Sequence, residues 1–273
     1  MIITVLGSGS SGNSLLVEAD GTRVLIDAGF SGRDLERRLA SVDCDPESID
    51  AIFVTHEHGD HTRGIGVFAR RWSTPLFLGE QTRQACSSLL SGEETIREYS
   101  CVNPVTIGAL RIEPFLTVHD AVDPFAVTVT EAATGEKLGV ATDLGRPTAA
   151  VRHALRECDI LVLEANHDEI LLRDSSYPWS VKQRIASSHG HLSNRASAEL
   201  VAEIYHNRLG AVVLAHLSER ANAPSLAREV VGERLAGLGF RGNLHLGEQH
   251  AALAPIDVTA LRQRLLPPQL TLL

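Results

Sequence analysis

Short apolar runs, punctuated by Gly, Ser, Asn and Asp, open the chain. Ile2–Leu6, Ser14–Ala19 and Arg23–Ala28 are dominated by β-branched or aliphatic residues, a pattern that predicts strands. Asp20-Gly21, between the second and third, is a hairpin signal. The spacing over Arg33–Ala40 predicts a helix. Ala51-Ile52-Phe53-Val54-Thr55 is almost wholly apolar, as expected of a strand covered on both faces, and it ends at His56. The same pattern predicts strands over Leu110–Val118, Ala126–Glu131, Leu138–Thr142, Ile160–Glu164 and Ala211–Ala215. Amphipathic spacing predicts helices over Thr148–Glu157, Ser193–Asn207 and Ser225–Leu238, with Ser193-Asn194 as an N-cap signal. Strands and helices interleave throughout, which predicts a layered α/β architecture.

Composition narrows this picture. The chain has 273 residues, 44% hydrophobic and 22% charged, ordinary for a globular protein that buries a sizeable core. Aromatics are only 4%, so that core is aliphatic. No linker or short-period repeat divides it, and a single domain over 1–273 is expected. Residues 257–273 read as a peripheral tail, with Pro267-Pro268 onward either a loose tail or an edge contact. The net charge of −9 excludes a basic surface built to grip nucleic acid. It leaves a nucleic-acid substrate open, because bound cations bring positive charge of their own. Cys44, Cys86, Cys101 and Cys158 are scattered without a C-x-x-C pair, so a disulfide framework is not expected and Cys158 reads as a buried thiol. A basic n-region, a long apolar h-region and a membrane-length apolar stretch are all missing, which predicts a soluble, cytoplasmic chain with no membrane partner.

Candidate chemistry lies where the apolar runs end. His56, His119, Asp143 and His216 each terminate one, and strand ends of a shared sheet converge on one edge. His56, His58, Asp60 and His61 place four nitrogen and oxygen donors within six residues, around Gly59. Such donors suit zinc, manganese or iron, and this many can serve two adjacent ions.

His56-x-His58-x-Asp60-His61 after a strand resembles the signature of the metallo-β-lactamase fold superfamily. That resemblance implies a four-layer αββα sandwich with up to two divalent ions at one edge. It implies that His56, His58 and His119 hold one ion, that Asp60, His61 and His216 hold the other, and that Asp143 bridges. It further implies that Asp27 buttresses the loop from behind. Chemically, two adjacent ions would ionise a shared water near neutral pH, and Asp60 would orient it.

Further motifs point toward phosphodiesters. Leu163-Glu164-Ala165-Asn166, then Gly190-His191-Leu192-Ser193, then Ala215-His216-Leu217-Ser218 resembles ribonuclease Z and its relatives. The resemblance implies that Glu164 orients His191, and that His191 contacts phosphate and acts as general acid. Gly7-Ser8-Gly9-Ser10-Ser11-Gly12-Asn13-Ser14, Asp27-Ala28-Gly29, His119-Asp120-Ala121, Glu164-Ala165-Asn166-His167-Asp168, Tyr177-Pro178-Trp179, Lys182-Gln183-Arg184-Ile185 and Gly190-His191-Leu192-Ser193-Asn194 together resemble the YycJ/WalJ family, over about residues 1 to 250. This implies a DNA exonuclease acting from the 5′ end, connected with repair. Ser8, Ser10, Asn13, Asn166 and His167 are the expected supporting or phosphate-binding residues. The Gly/Ser loop reads either as a phosphate-facing nest or as a tight turn. Lys182 and Arg184 read either as backbone contacts or as a solvated helix face. The sequence departs from the family pattern at Asp123-Pro124-Phe125-Ala126, a stretch expected to shape the substrate mouth. A small-molecule hydrolase of the same fold, acting on a cyclic phosphodiester, lactone or ester, is the alternative enzyme reading, and a non-catalytic binding module is the third.

Overall fold

The computed structural model describes residues 1–265. Its strands, in chain order, are β1 (Ile2–Gly7), β2 (Ser14–Ala19), β3 (Thr22–Ile26), β4 (Ala51–Phe53), β5 (Leu76–Gly79), β6 (Ile96–Tyr99), β7 (Val105–Ile107), β8 (Leu110–Leu116), β9 (Phe125–Glu131), β10 (Lys137–Ala141), β11 (Ile160–Glu164), β12 (Ala211–Ala215), β13 (Asn243–Leu246) and β14 (Ile256–Asp257). The α-helices are α1 (Gly32–Ala40), α2 (Gly59–Thr62), α3 (Ile65–Trp72), α4 (Glu80–Ala85), α5 (Ala149–Leu155), α6 (Glu169–Asp174), α7 (Trp179–Ile185), α8 (Asn194–Ile204), α9 (Pro224–Gly237) and α10 (Val258–Leu265).

The strands form two seven-stranded sheets, ordered β14-β1-β2-β3-β4-β5-β6 and β13-β12-β11-β10-β9-β8-β7. Each sheet is antiparallel in one part and parallel in the other. In the first sheet β3, β4, β5 and β6 run parallel. In the second, β10, β11, β12 and β13 do so. β11 and β12 are buried along their whole length, the reason their sequences are continuous apolar runs. Asp20 and Gly21 both adopt positive φ at the β2–β3 hairpin, the backbone geometry their sequence favours.

Three apolar clusters fill the spaces between layers. The central one joins facing sides of the two sheets, with Val5, Val17 and Phe53 from one and Val127, Val140 and Val213 from the other. A second packs Leu35 and Leu39 of α1 and Phe68 of α3 onto the outer face of the first sheet. The third packs Val151, Val201 and Val231, from α5, α8 and α9, onto the second sheet. The result is the expected αββα sandwich, and the core is aliphatic as the composition requires.

Several boundaries differ from the sequence reading. α9 starts at Pro224, whose ring suits the first helical turn, where its missing N–H costs nothing. α8 ends at Ile204, three residues before the predicted end at Asn207. Residues 257–265 are less peripheral than expected. Ile256–Asp257 pairs with β1, and Val258 and Leu261 of α10 sit in the central core. The Pro267-Pro268 stretch lies outside the described residues. All four cysteines are free and Cys158 is buried, as expected. Among the described residues no helix is long and apolar enough to cross a membrane.

Candidate metal centre

Strand ends make one edge of the sandwich chemically dense. Asp27 follows β3, His56 follows β4, His119 follows β8, Asp143 follows β10, Glu164 ends β11 and His216 follows β12. Asp27, Asp143 and His216 adopt left-handed backbone, with φ of 62°, 58° and 55°. Each turns the chain at the point where a strand stops. α2 begins right after His58 and presents Asp60 and His61 to the same edge. His58, Asp60, His119, Asp143 and His216 line a cleft of about 360 Å³, whose walls include Ser10, Asp120, Arg184 and Gly190; Asp27, His56, His61 and Glu164 are buried.

The nitrogen donors converge. His56 Nε2 lies 3.2 Å from His58 Nδ1, and His119 Nε2 lies 3.3 Å from the same atom. Tetrahedral coordination with metal–nitrogen bonds of roughly 2.0–2.1 Å places neighbouring donors about 3.3–3.4 Å apart. The three imidazoles therefore fit one cation. Beside them, His216 Nε2 lies 3.2 Å and His61 Nε2 3.7 Å from Asp60 Oδ2, and His61 Nε2 is 3.0 Å from Asp143 Oδ2. That last contact is close but lacks hydrogen-bond alignment, and buried Asp143 Oδ2 has no hydrogen-bond partner. An orphaned carboxylate oxygen between two imidazole groups fits a second cation.

The far nitrogens are anchored. Asp27 Oδ2 lies 2.7 Å from His61 Nδ1, and Gly190 O lies 3.0 Å from His119 Nδ1. Thr55 Oγ1 donates to Asp27 and lies 3.0 Å from His56 Nδ1. Glu164 Oε1 serves two rings at once, His191 Nδ1 at 2.7 Å and His216 Nδ1 at 3.0 Å. Its other oxygen accepts from Leu144 N and Leu192 N, both at 2.9 Å. Protons held at these Nδ1 atoms leave the opposite Nε2 atoms facing the cleft.

Electrostatics divide the donors. Burial pushes His56 well below the usual imidazole range, and burial also lowers His119, so both are neutral near pH 7. His61 and His216 behave oppositely. Burial opposes their charge, but Asp143 and the neighbouring carboxylates outweigh it and raise both well above the usual value. Burial would raise Glu164, yet His191 and His216 hold its carboxyl at about 2. His191 is raised in turn, burial being outweighed by Glu164.

The sequence-predicted site residues fall into three groups. His56, His58, Asp60, His61, His119, Asp143 and His216 meet at the cleft, with Glu164 and His191 beside them. Asp27, Ser8, Asn13 and Asn166 support it. Ser8 Oγ accepts from His216 N at 2.8 Å, and Asn166 Nδ2 donates to His216 O at 2.9 Å. Asn13 Nδ2 approaches Asp60 Oδ2 at 3.3 Å, and Asn13 N donates to Asp60 O at 2.8 Å. Ser10 lines the cleft directly. His167 does not; it is buried and borders a neighbouring cavity instead.

Of the two readings of the Gly/Ser loop, the tight turn fits better, because Ser8, Gly9, Ser11, Gly12 and Asn13 donate their N–H groups to other parts of the protein or within the loop. One expectation needs correction. The Asp123–Ala126 stretch does not border the cleft. Phe125 N donates to Thr55 O at 3.1 Å and its ring is buried between the sheets, so this stretch steadies the residue before His56. Sequence reasoning assigned no role to three residues of the site. Asp120 lies 3.3 Å from His119 Nε2 and pairs with Arg184. Thr55 links Asp27 to His56. Both adjoin predicted ligands, which was the available signal. Gln249 accepts from Ser11 N at 2.7 Å and donates to Gly12 O at 3.0 Å, and nothing local in the sequence marks it.

Two stacked mixed sheets with seven convergent donors at one edge define a metallo-β-lactamase-fold protein. A sequence profile described as the beta-lactamase superfamily domain matches residues 22–217. The chain is 35% identical over 239 residues to "Exodeoxyribonuclease YycJ" of Bacillus anthracis, covering 87% of this chain and 90% of that one. It is 37% identical over 237 residues to "Exodeoxyribonuclease WalJ" of Streptococcus pneumoniae serotype 2, covering 85% and 87%. The crystal structure of the metallo-beta-lactamase fold protein YhfI from Bacillus subtilis superposes with a TM-score of 0.70 at 18% identity, over 92% of this chain and 98% of that one. The chain belongs to the metallo-β-lactamase superfamily and, within it, to the YycJ/WalJ family.

Proposed function

We propose that this protein is a dinuclear metal-dependent phosphodiesterase, a DNA exonuclease working from the 5′ end. The observation that carries the reading is the Glu164–His191 pair at 2.7 Å, set beside seven clustered donors. The relatives named exodeoxyribonuclease support DNA as the substrate.

His56, His58 and His119 would hold one cation, Asp60, His61 and His216 a second, with Asp143 between them. Zinc and manganese both suit this nitrogen and oxygen set, as does iron. Such cations supply ionised water near neutral pH and positive charge at the attacked phosphate. The chain's own residues do the rest. Asp60 accepts a hydrogen bond from the attacking water and orients it. Glu164 fixes the His191 proton at Nδ1 and, by its charge, favours the protonated ring. His191 Nε2 then gives its proton to the leaving oxygen as the P–O bond breaks.

The test uses protein loaded with zinc or manganese and DNA oligonucleotides labelled at either end, with RNA of the same sequence and bis-p-nitrophenyl phosphate alongside. Stepwise loss from the 5′ end of DNA is expected. Cleavage of the small ester with DNA left intact throughout would overturn the nuclease reading in favour of a small-molecule hydrolase. Retention of all activity in Asp143→Ala would overturn the metal pair itself.

A further inference from the structure

α7 is a wall shared by two hollows. Val181, Arg184 and Ile185 face the cleft. Trp179, Lys182, Gln183 and Ala186 face a second cavity of about 470 Å³, closed by Leu172 and Arg173 of α6. None of the chemistry above uses this second cavity.

Its lip is unusual in two ways. Trp179 is 69% exposed, a large aromatic face left in water. The charge is also inverted relative to the rest of the molecule. Residues 173–195 carry Arg173, Lys182, Arg184 and Arg195 against the single acid Asp174, in a chain of net charge −9; Arg173 pairs with Asp174 and Arg184 with Asp120, while Lys182 donates to the Arg173 carbonyl. The acid on the cavity wall, Glu169, is engaged by Arg195 at 3.2 Å and by Ser193 Oγ at 3.1 Å. Tyr177, two residues before Trp179, lies under the Arg220 guanidinium at 5.6 Å. An exposed indole flanked by cations matches what single-stranded nucleic acid requires, a face for a base and charge for its backbone. A duplex cannot offer a base to such a face without unstacking it. Along α7, Trp179 stands about 9 Å from Ile185 on the cleft, the rise of two or three stacked nucleotides at about 3.4 Å each.

We propose that Trp179 and the α6–α7 cavity receive a nucleobase of a single strand, two or three nucleotides from the phosphate in the cleft, with Arg184 and Lys182 along the intervening backbone. The proposal rests on the phosphodiesterase reading for its register but is tested separately from it.

Trp72 and Trp179 are the only tryptophans in the chain, so Trp72→Phe leaves Trp179 as sole reporter. Manganese-loaded Trp72→Phe protein is titrated with a five-nucleotide phosphorothioate oligothymidylate, which resists cleavage. Saturable quenching of Trp179 is expected. In the unaltered background, Trp179→Ala should raise KM for a cleavable oligonucleotide about 5- to 100-fold, the weight of one base–aromatic stack. kcat and turnover of bis-p-nitrophenyl phosphate should stay unchanged, and Trp179→Phe should recover part of the loss. Absent quenching, an unchanged KM in Trp179→Ala, or equal quenching by an acidic peptide would each overturn the proposal. Quenching by an oligonucleotide that the unaltered protein never cleaves would instead uphold binding while the phosphodiesterase reading falls.

Discussion

Glu164→Gln is the sharpest perturbation of the catalytic proposal, because shape is kept while charge and acceptor capacity are lost. Glu164 is fully buried and accepts from two backbone N–H groups and two imidazoles. An amide offers one oxygen, and the backbone donors of Leu144 and Leu192 cannot change tautomer. The oxygen therefore goes to them, and the NH2 group faces the two rings. His191 and His216 must then move their protons from Nδ1 to Nε2 or lose their partner. For His216 the shift blocks the nitrogen that faces Asp60. For His191 it removes the anion that raises its pKa, so the ring becomes neutral at lower pH. Hydrogen bonds to a charged group contribute about 1.5–3 kcal/mol each. Losing one of the two imidazole bonds thus costs on the order of 10- to 100-fold, and losing a general acid costs about 10²–10⁴-fold. The assay compares kcat on an oligonucleotide and on bis-p-nitrophenyl phosphate, with metal content measured on the same samples. p-Nitrophenolate leaves without a proton, so His191→Ala should slow the oligonucleotide by 10²-fold or more and the activated ester far less, with metal retained. Glu164→Gln should add partial loss of one ion. Equal slowing on both substrates in His191→Ala would refute the general-acid role. Undiminished kcat and full metal in Glu164→Gln would refute the positioning argument.

Four further outcomes follow from the geometry. A Cβ on Gly29 would lie 1.6 Å from Asp60 O, and backbone cannot yield cheaply, so Gly29→Ala should lower Tm and deplete the ion on the Asp60 side; a variant with normal Tm and metal would contradict this. Gln249→Ala strands the buried Gly12 O, at about 1–3 kcal/mol, and leaves Ser11 N to water, so chemical denaturation should show the loss together with a raised KM from a loosened Ser10 loop. Cation uptake should be pH-dependent in a split manner, with the sign set by the raised pKa of His61 and His216: their protons stay on below the raised value and must leave for a cation to bind, whereas His56 and His119 are already neutral at pH 7. Calorimetry in buffers of differing ionisation heat should therefore find more protons released by one ion than by the other, and lowering the pH should strip that ion first. Asp143→Gly and Asp143→Ala should both abolish turnover, but the Gly variant should be more stable by about 1 kcal/mol, since only Ala keeps a Cβ strained at positive φ; equal stability would show that the turn carries no strain.

Much of the fold was legible where one physical demand dominated. β11 and β12 are buried on both faces, so continuous apolar runs announced them. α8 was marked by the Ser193 cap, whose hydroxyl accepts from Ala196 N. β6 and β7 were not legible, because three- and four-residue strands of mixed exposure leave no period to read. β14 has two residues and exists only through its pairing with β1. In the site, the donors stood out because a polar residue ending an apolar strand is conspicuous. Gln249 was invisible for the opposite reason: its partner Ser11 is 238 residues away, and its own neighbours form no pattern.

The same contrast explains why Asp27, Asp143 and His216 share left-handed backbone. A strand alternates its side chains between faces, so a donor simply continuing the strand would point into the sandwich core or out toward the helices. The cleft lies at neither place but at the rim between the sheets, and at these three positions the chain reaches it by a sharp turn within two residues of the strand end. For an L-residue that turn costs roughly 1–3 kcal/mol, and it persists only where flanking groups over-determine it. They do so here by three separate means. Thr55 N and Oγ1 hold Asp27. Ser8 Oγ and Asn166 Nδ2 hold the His216 backbone. Glu164 holds Leu144 N, and Val118 O holds Gly145 N, immediately after Asp143. Glycine would fit each turn more easily but carries no donor. Three unfavourable conformations, at two candidate metal ligands and at the carboxylate that anchors His61, each clamped by its own polar partners, therefore mark this rim as a place where the sequence gives up backbone ease to aim side chains.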